Sequence, residues 1–116
     1  MLLGGKFRDR MRVYLYRSSP ADVADLGAWR AMGEEAVASG FQQIKFDIDY
    51  IAMDRQGDIW NRSLTLDQIN RAVERLMAVR EAVGPDFELC VDLHRQFNVP
   101  DAVRNTAYRL YRIKAN

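Results

Sequence analysis

Three short β-prone runs, separated by stretches long enough for helices, constrain what this chain of 116 residues can fold into. Residues 11–16 (MRVYLY) are rich in valine and tyrosine, 43–48 (QIKFDI) alternate apolar and polar, and 87–93 (FELCVDL) do the same. Ser19 and Pro20 predict a helix start, with Ser19 as N-cap and Pro20 at the first helical position. Trp29, Met32, Ala36 and Val37 recur at helical spacing and Gly40 is placed to stop the run, so a helix is expected over 20–39. Thr65 and Gln68 read as a capping box opening a second helix, with Ile69, Ala72, Val73, Leu76 and Val79 on one face and Gly84-Pro85 at its end. A third helix is expected over 100–112. Strands joined by helices of this length imply crossover connections, so the chain reads as α/β with a parallel sheet in the order β-α-β-α-β-α.

Composition narrows the function classes. Lys and Arg number 17 against 16 Asp and Glu, and a net charge of +1 gives no electrostatic reason to expect nucleic acid or an anionic membrane as partner. The basic residues Arg104, Arg109, Arg112 and Lys114 near the C-terminus do not change that balance. The lone Cys90 cannot form an internal disulfide, and no Cys/His cluster suggests zinc. No apolar run approaches the roughly 20 residues of a membrane span. The opening residues lack the apolar stretch of a signal peptide, so a cytoplasmic single domain is expected. A complete eight-stranded β/α barrel needs at least about 200 residues and is excluded by length.

Alternation decides where the polar residues go. Ile44, Phe46 and Ile48 share one face of the second strand, as Leu89, Val91 and Leu93 do on the third. If those faces pack under the helices, Lys45, Asp47, Asp92 and His94 emerge together on the other face, at the carboxyl ends where α/β proteins place ligand and catalytic groups. A parallel sheet is normally covered on both faces, and burying unpartnered charges costs several kcal/mol as an order of magnitude. These groups therefore face a water-filled site, bind a metal or substrate, or pair as Lys45–Asp92 or Lys45–Asp47.

At these residues the chain resembles the enolase superfamily, in its mandelate racemase/muconate lactonizing enzyme branch. The matching stretches are LLGG at 2–5, AVASGFQQIKFD at 36–47, AVREAVGPD at 78–86 and LCVDLH at 89–94. The resemblance implies the first three βα units of a TIM-type (β/α) barrel, so that 1–116 is a partial C-terminal barrel domain. An N-terminal capping domain and the remaining barrel strands are expected to be absent. The family's Lys-x-Lys motif reads Lys45-Phe46-Asp47 here, with aspartate where the second lysine often acts as base. That departure argues against a racemase. The resemblance further implies Asp92 as a Mg²⁺ ligand and His94 as the general acid that expels a β-hydroxyl, with Lys45 contributing charge at a substrate carboxylate. Lys45, Asp47 and His94 are thus the candidate catalytic residues.

The expected function is a fragment of a Mg²⁺-dependent acid-sugar (aldonate-type) dehydratase, inactive alone because the remaining acidic ligands and the His/Asp base pair lie on strands it lacks. Its partners would be a sugar acid once completed, the missing barrel portion, or further copies of itself. The alternative is a non-catalytic, self-associating interaction module derived from that fold. A receiver- or flavodoxin-like domain is a weaker alternative, needing about five strands. Other features have plainer readings. Arg71, Glu74, Arg75, Arg80 and Glu81 are expected to form a solvated charged face, and Cys90 a small buried residue. The 49–63 stretch, with Asp54, Arg55, Asp58 and Arg62, is a substrate lid or a solvated connection.

Overall fold

The computed structural model describes residues 4–48, 64–93 and 98–103. It contains β1 (Leu15–Arg17), α1 (Leu26–Ala38), β2 (Gln43–Asp47), α2 (Leu66–Val83) and β3 (Glu88–Asp92). The three strands form one parallel sheet in the order β1-β2-β3, unclosed among the described residues. Crossovers of one hand that always step to the next strand keep their helices on one face of a sheet. Here α1 and α2 share that face, with Trp29, Met32, Ala36, Ala78 and Val79 closing on Ile44 and Phe46. Leu15, Leu89 and Val91 add the apolar side chains of the outer strands to the same core.

The second strand follows its expected alternation, with Ile44, Phe46 and Ile48 all at most 1% exposed. The second helix opens on the predicted capping box: the Gln68 N–H donates to Thr65 Oγ1 at 3.2 Å and the Thr65 N–H to Gln68 Oε1 at 2.9 Å. Gly40 and Gly84 follow their helices at φ of 77° and 82°, a conformation that glycine adopts without a Cβ penalty.

Other expectations need correcting. The first strand is shorter than 11–16, because Leu15 already pairs with Ile44 near the start of β2 and the residues upstream pair with no strand among the described residues. Met11 and Val13 are accordingly exposed. The first helix starts at Leu26, not Pro20. Its N-cap is Asp25, whose Oδ1 accepts the Gly27 N–H at 2.8 Å, whereas Ser19 donates its hydroxyl to the Asp47 carbonyl at 2.8 Å and ties the loop to β2. Val37 falls outside the buried stripe and is exposed, while Gly33 lies within it. Of the expected third helix, 99–103 are helical and the rest lies outside the described residues. Asn98 begins it by accepting the Asp101 N–H at 2.8 Å, and Asp101 Oδ2 accepts the Leu64 N–H at 2.8 Å, docking it beside the start of α2.

Two arginines leave the charged face assigned to them. Arg80 Nη1 donates to the carbonyls of Gly84 (2.7 Å) and Phe87 (2.6 Å), closing the turn into β3. Arg75 is 6% exposed, and its guanidinium sits 5.9 Å from the Trp29 ring centre. Its Nη1 has no hydrogen-bond partner among the described residues, and burial lowers its pKa from the ordinary arginine value. A buried charge with an unsatisfied N–H is expensive, and an apolar replacement of similar length is often neutral or stabilising. Arg75→Met is therefore expected to leave stability unchanged or raise it by about 1–2 kcal/mol. Urea unfolding checks this: a loss beyond about 1 kcal/mol would mean that stacking on Trp29 outweighs the desolvation.

Candidate functional site

With the apolar faces of the strands committed to the helices, Tyr16, Lys45, Asp47, Cys90 and Asp92 occupy the opposite face. The parallel register sets Tyr16 beside Lys45, Lys45 beside Cys90, and Asp47 beside Asp92. Asp47 and Asp92 end their strands, so two carboxylates stand side by side at the carboxyl end of the sheet. Like charges directly opposite one another repel, and each here has its own donor. Lys45 Nζ bridges Asp92 Oδ2 at 2.7 Å, with the two side chains 26% and 28% exposed. The Tyr16 hydroxyl donates to Asp47 Oδ2 at 2.7 Å. The sequence left Lys45–Asp92 and Lys45–Asp47 open as pairs, and the structure has the first.

These contacts set the protonation chemistry. The Asp92 carboxylate raises the Lys45 pKa above the usual lysine value, against a smaller opposing effect of burial. Lys45 is therefore an ammonium at neutral pH, able to stabilise negative charge and unsuited to removing a proton. The Tyr16 pKa is raised chiefly by its hydrogen bond to Asp47, against the Ser18 hydroxyl, so the phenol keeps its proton. The ring of Tyr14 lies 6.0 Å from Lys45 Nζ, on the same side of the sheet.

Of the four candidates from sequence, Lys45, Asp47 and Asp92 come together on this face, and His94 lies outside the described residues, as do residues 49–63 with the four charged residues of the lid reading. Cys90 is half-buried beside Lys45 and free of disulfide. Asp47 is 6% exposed and deeper than the other two. Tyr16, Tyr14 and Ser19 were missed. The signal was present for the tyrosines: in MRVYLY they alternate with Val13 and Leu15, which puts them on the face of Lys45 once Leu15 packs inward.

Carboxylate oxygens are hard donors of the kind that suit Mg²⁺, which is commonly held by one or two carboxylates together with water and substrate oxygens. Asp92 and its neighbour Asp47 fit such an ion in chemistry. Among the described residues no group of three or more His, Cys, Asp or Glu is placed to enclose one. No helix among them is long and apolar enough to cross a membrane.

Comparison with known proteins gives the face its context. Residues 28–111 match the model of the enolase C-terminal domain-like family. The chain is 36% identical over 114 residues to D-gluconate dehydratase of Thermoproteus tenax, covering 95% of this chain and 21% of that protein. It is also 36% identical over 104 residues to D-xylonate dehydratase of Haloferax volcanii, covering 89% of this chain and 25% of that one. Among solved structures, a mandelate racemase/muconate lactonizing enzyme-like protein from Rubrobacter xylanophilus superposes with a TM-score of 0.66 at 35% identity, over 90% of this chain and 30% of that one. The chain thus spans about a quarter of the length of the curated relatives it matches. By a match that takes in most of its residues, it belongs to the enolase C-terminal domain-like family.

Proposed function

We propose that this chain is a fragment of a sugar-acid dehydratase of the enolase superfamily, comprising the first three βα units of its (β/α) barrel, and that it turns over only when the remaining units complete the site. The observation that carries the reading is the Lys45–Asp92 bridge beside Asp47 at the carboxyl end of a parallel sheet, in a chain similar to two sugar-acid dehydratases. The reaction removes the proton beside a carboxylate, breaks the bond to the β-hydroxyl, which leaves as water, and lets the resulting enol tautomerise to a keto acid. A proton beside a carboxylate is weakly acidic, so positive charge must meet the ene-diolate as it forms.

Lys45, kept protonated by Asp92, supplies a fixed cation for the substrate carboxylate. Asp92 would hold Mg²⁺, with Asp47 close by, and the ion when bound adds charge at the same carboxylate. His94, two residues beyond Asp92, has the intrinsic pKa of a general acid for the departing hydroxyl. Asp47 stands where a lysine base would serve a racemase, which favours dehydration over racemisation. Among the described residues each outer strand pairs on one side only, and such edges are templates for further strands. Their occupants are the remaining β/α units, or another copy of the chain in the non-catalytic reading.

The test splices this chain into the D-gluconate dehydratase of Thermoproteus tenax in place of the matching segment and assays keto-acid formation with Mg²⁺. Activity is expected, and Asp92→Asn should lower it by about a hundredfold or more, since even outer-shell partners of metal ligands are worth 10–100-fold. A folded chimaera that is inactive, or one indifferent to Asp92→Asn, would reject the dehydratase reading in favour of the interaction module.

A further inference from the structure

The dehydratase chemistry gives Lys45 and Asp92 separate tasks, a cation for the substrate carboxylate and a ligand for Mg²⁺, yet in this structure the two groups are engaged with each other. Lys45 Nζ stands 2.7 Å from Asp92 Oδ2, and the two side chains are only 26% and 28% exposed. Water and salt screen a partly buried pair less than a surface one, so this bridge holds more firmly than an ordinary surface ion pair. The backbone sets its geometry. Lys45 is beside Cys90 in register, and its side chain reaches diagonally to the residue two further along β3. There the Ile48 N–H donates to the Asp92 carbonyl at 3.4 Å and ties the carboxyl end of β3 to the chain leaving β2.

Two positive groups drawn to one carboxylate repel each other across a few ångströms, and in a partly buried place that repulsion is little screened. Mg²⁺ also demands near-ideal octahedral geometry around itself, which an ammonium seated on one oxygen of the carboxylate obstructs. Lys45 has somewhere else to go. The half-exposed ring of Tyr14 has its centre 6.0 Å from Nζ, within reach of a cation–π attraction. Release from Asp92 therefore does not leave the ammonium without a favourable neighbour.

We propose that Lys45 is a latch on Asp92: its ammonium holds the carboxylate while no divalent cation is bound, and must leave it for a cation to be held there. The inference rests on the dehydratase reading for the task of Asp92. It adds an order of events, because Asp92 and Lys45 reach their separate tasks only once the bridge between them opens. Coupling between two binding events is reciprocal, so an anion that draws the ammonium away from Asp92 also tightens the cation.

The experiment titrates the isotopically labelled chain with Mg²⁺ and follows the Asp92 amide and the Lys45 side-chain nitrogen by NMR. In the wild-type chain the two signals are expected to move together and to saturate at the same Mg²⁺ concentration. In Asp92→Asn without Mg²⁺, the Lys45 signal should already be displaced toward its Mg²⁺-saturated position. Lys45→Met should bind Mg²⁺ about tenfold more tightly, within the roughly 5–150-fold span typical of coupled sites. Lys45→Gln takes its place if the methionine variant does not fold. An Asp92 amide that shifts while the Lys45 signal stays put would show that both cations share the carboxylate, and the latch would be overturned. Equal Mg²⁺ affinity in the wild-type chain and the Lys45 variant, or no Mg²⁺ binding by either, would overturn it as well. Each of these failures leaves the dehydratase reading to be decided by the spliced enzyme, whose turnover is read independently of the bridge.

Discussion

Trp29→Ala is expected to cost about 3–5 kcal/mol of folding stability, the range for deleting a large buried aromatic side chain. Domains of ordinary size are stable by only about 5–15 kcal/mol, so the variant should be partly unfolded at mild temperatures. The indole is fully buried in the first turn of α1 and meets the Phe46 ring edge-on, with centroids 5.8 Å apart at 62°. Such aromatic pairs contribute about 0.5–1.5 kcal/mol beyond area burial. Its Nε1–H donates to the Val23 carbonyl at 3.1 Å, fixing the loop that leads into the helix. Truncation therefore opens a cavity between helix and sheet, removes an aromatic pair and deprives a carbonyl of its donor. Trp29→Phe should restore most of the loss, since it refills the cavity and lacks only the N–H. Urea unfolding followed by circular dichroism measures both variants. A loss below about 1 kcal/mol in Trp29→Ala would mean that the core relaxes around the site and that this contact is not central.

Gly33→Ala is the second large effect, and its sign opposes helix propensity. In an exposed helix interior, alanine is favoured over glycine by about 1 kcal/mol. At Gly33 a Cβ would stand 2.9 Å from the Ala82 Cβ, 3.1 Å from Val83 Cγ1 and 3.2 Å from the Val79 carbonyl oxygen. The first and last of these cannot rotate away, because one is a Cβ and the other is backbone. To admit the methyl group, α1 and α2 must separate, loosening the Trp29, Ala78 and Val79 packing alongside. Overpacking of this kind costs about 1–3 kcal/mol, which outweighs the propensity gain. Thermal melting of the wild-type and Gly33→Ala chains decides it, and a raised midpoint would show that the helices can part without loss.

Local chemistry accounts for what was legible. The Thr65–Gln68 capping box is written in four consecutive residues and depends on nothing outside them. The β2 alternation and the glycine stops are equally short-range. The juxtaposition of Lys45 with Asp92 was readable because two period-2 patterns in parallel strands leave few registers that bury Ile44, Phe46, Leu89 and Val91 together. Tyr16 was readable by the same rule, yet a tyrosine in a β-prone run also serves as strand filler, and only its hydroxyl on Asp47 distinguishes the two roles. Asp25 prevailed over Ser19 as the cap because Ser19 found a carbonyl on β2, a partner 28 residues away. Arg75 departed furthest from expectation: helical periodicity places it next to the buried stripe, and the approach of α1 covers it with Trp29.

The amino-acid sequence by itself determined the order of elements, the inward faces of the strands and the side of the sheet that carries Lys45, Asp47 and Asp92. Each of these follows from periodicity and from groups within a few residues of one another. Only the tertiary structure decided which carboxylate Lys45 pairs with, that Tyr16 holds the other, and that Gly33 must remain glycine where the helices meet. Those outcomes depend on distances between segments far apart in the chain, set by the register of the strands and the closeness of two helices packed over them.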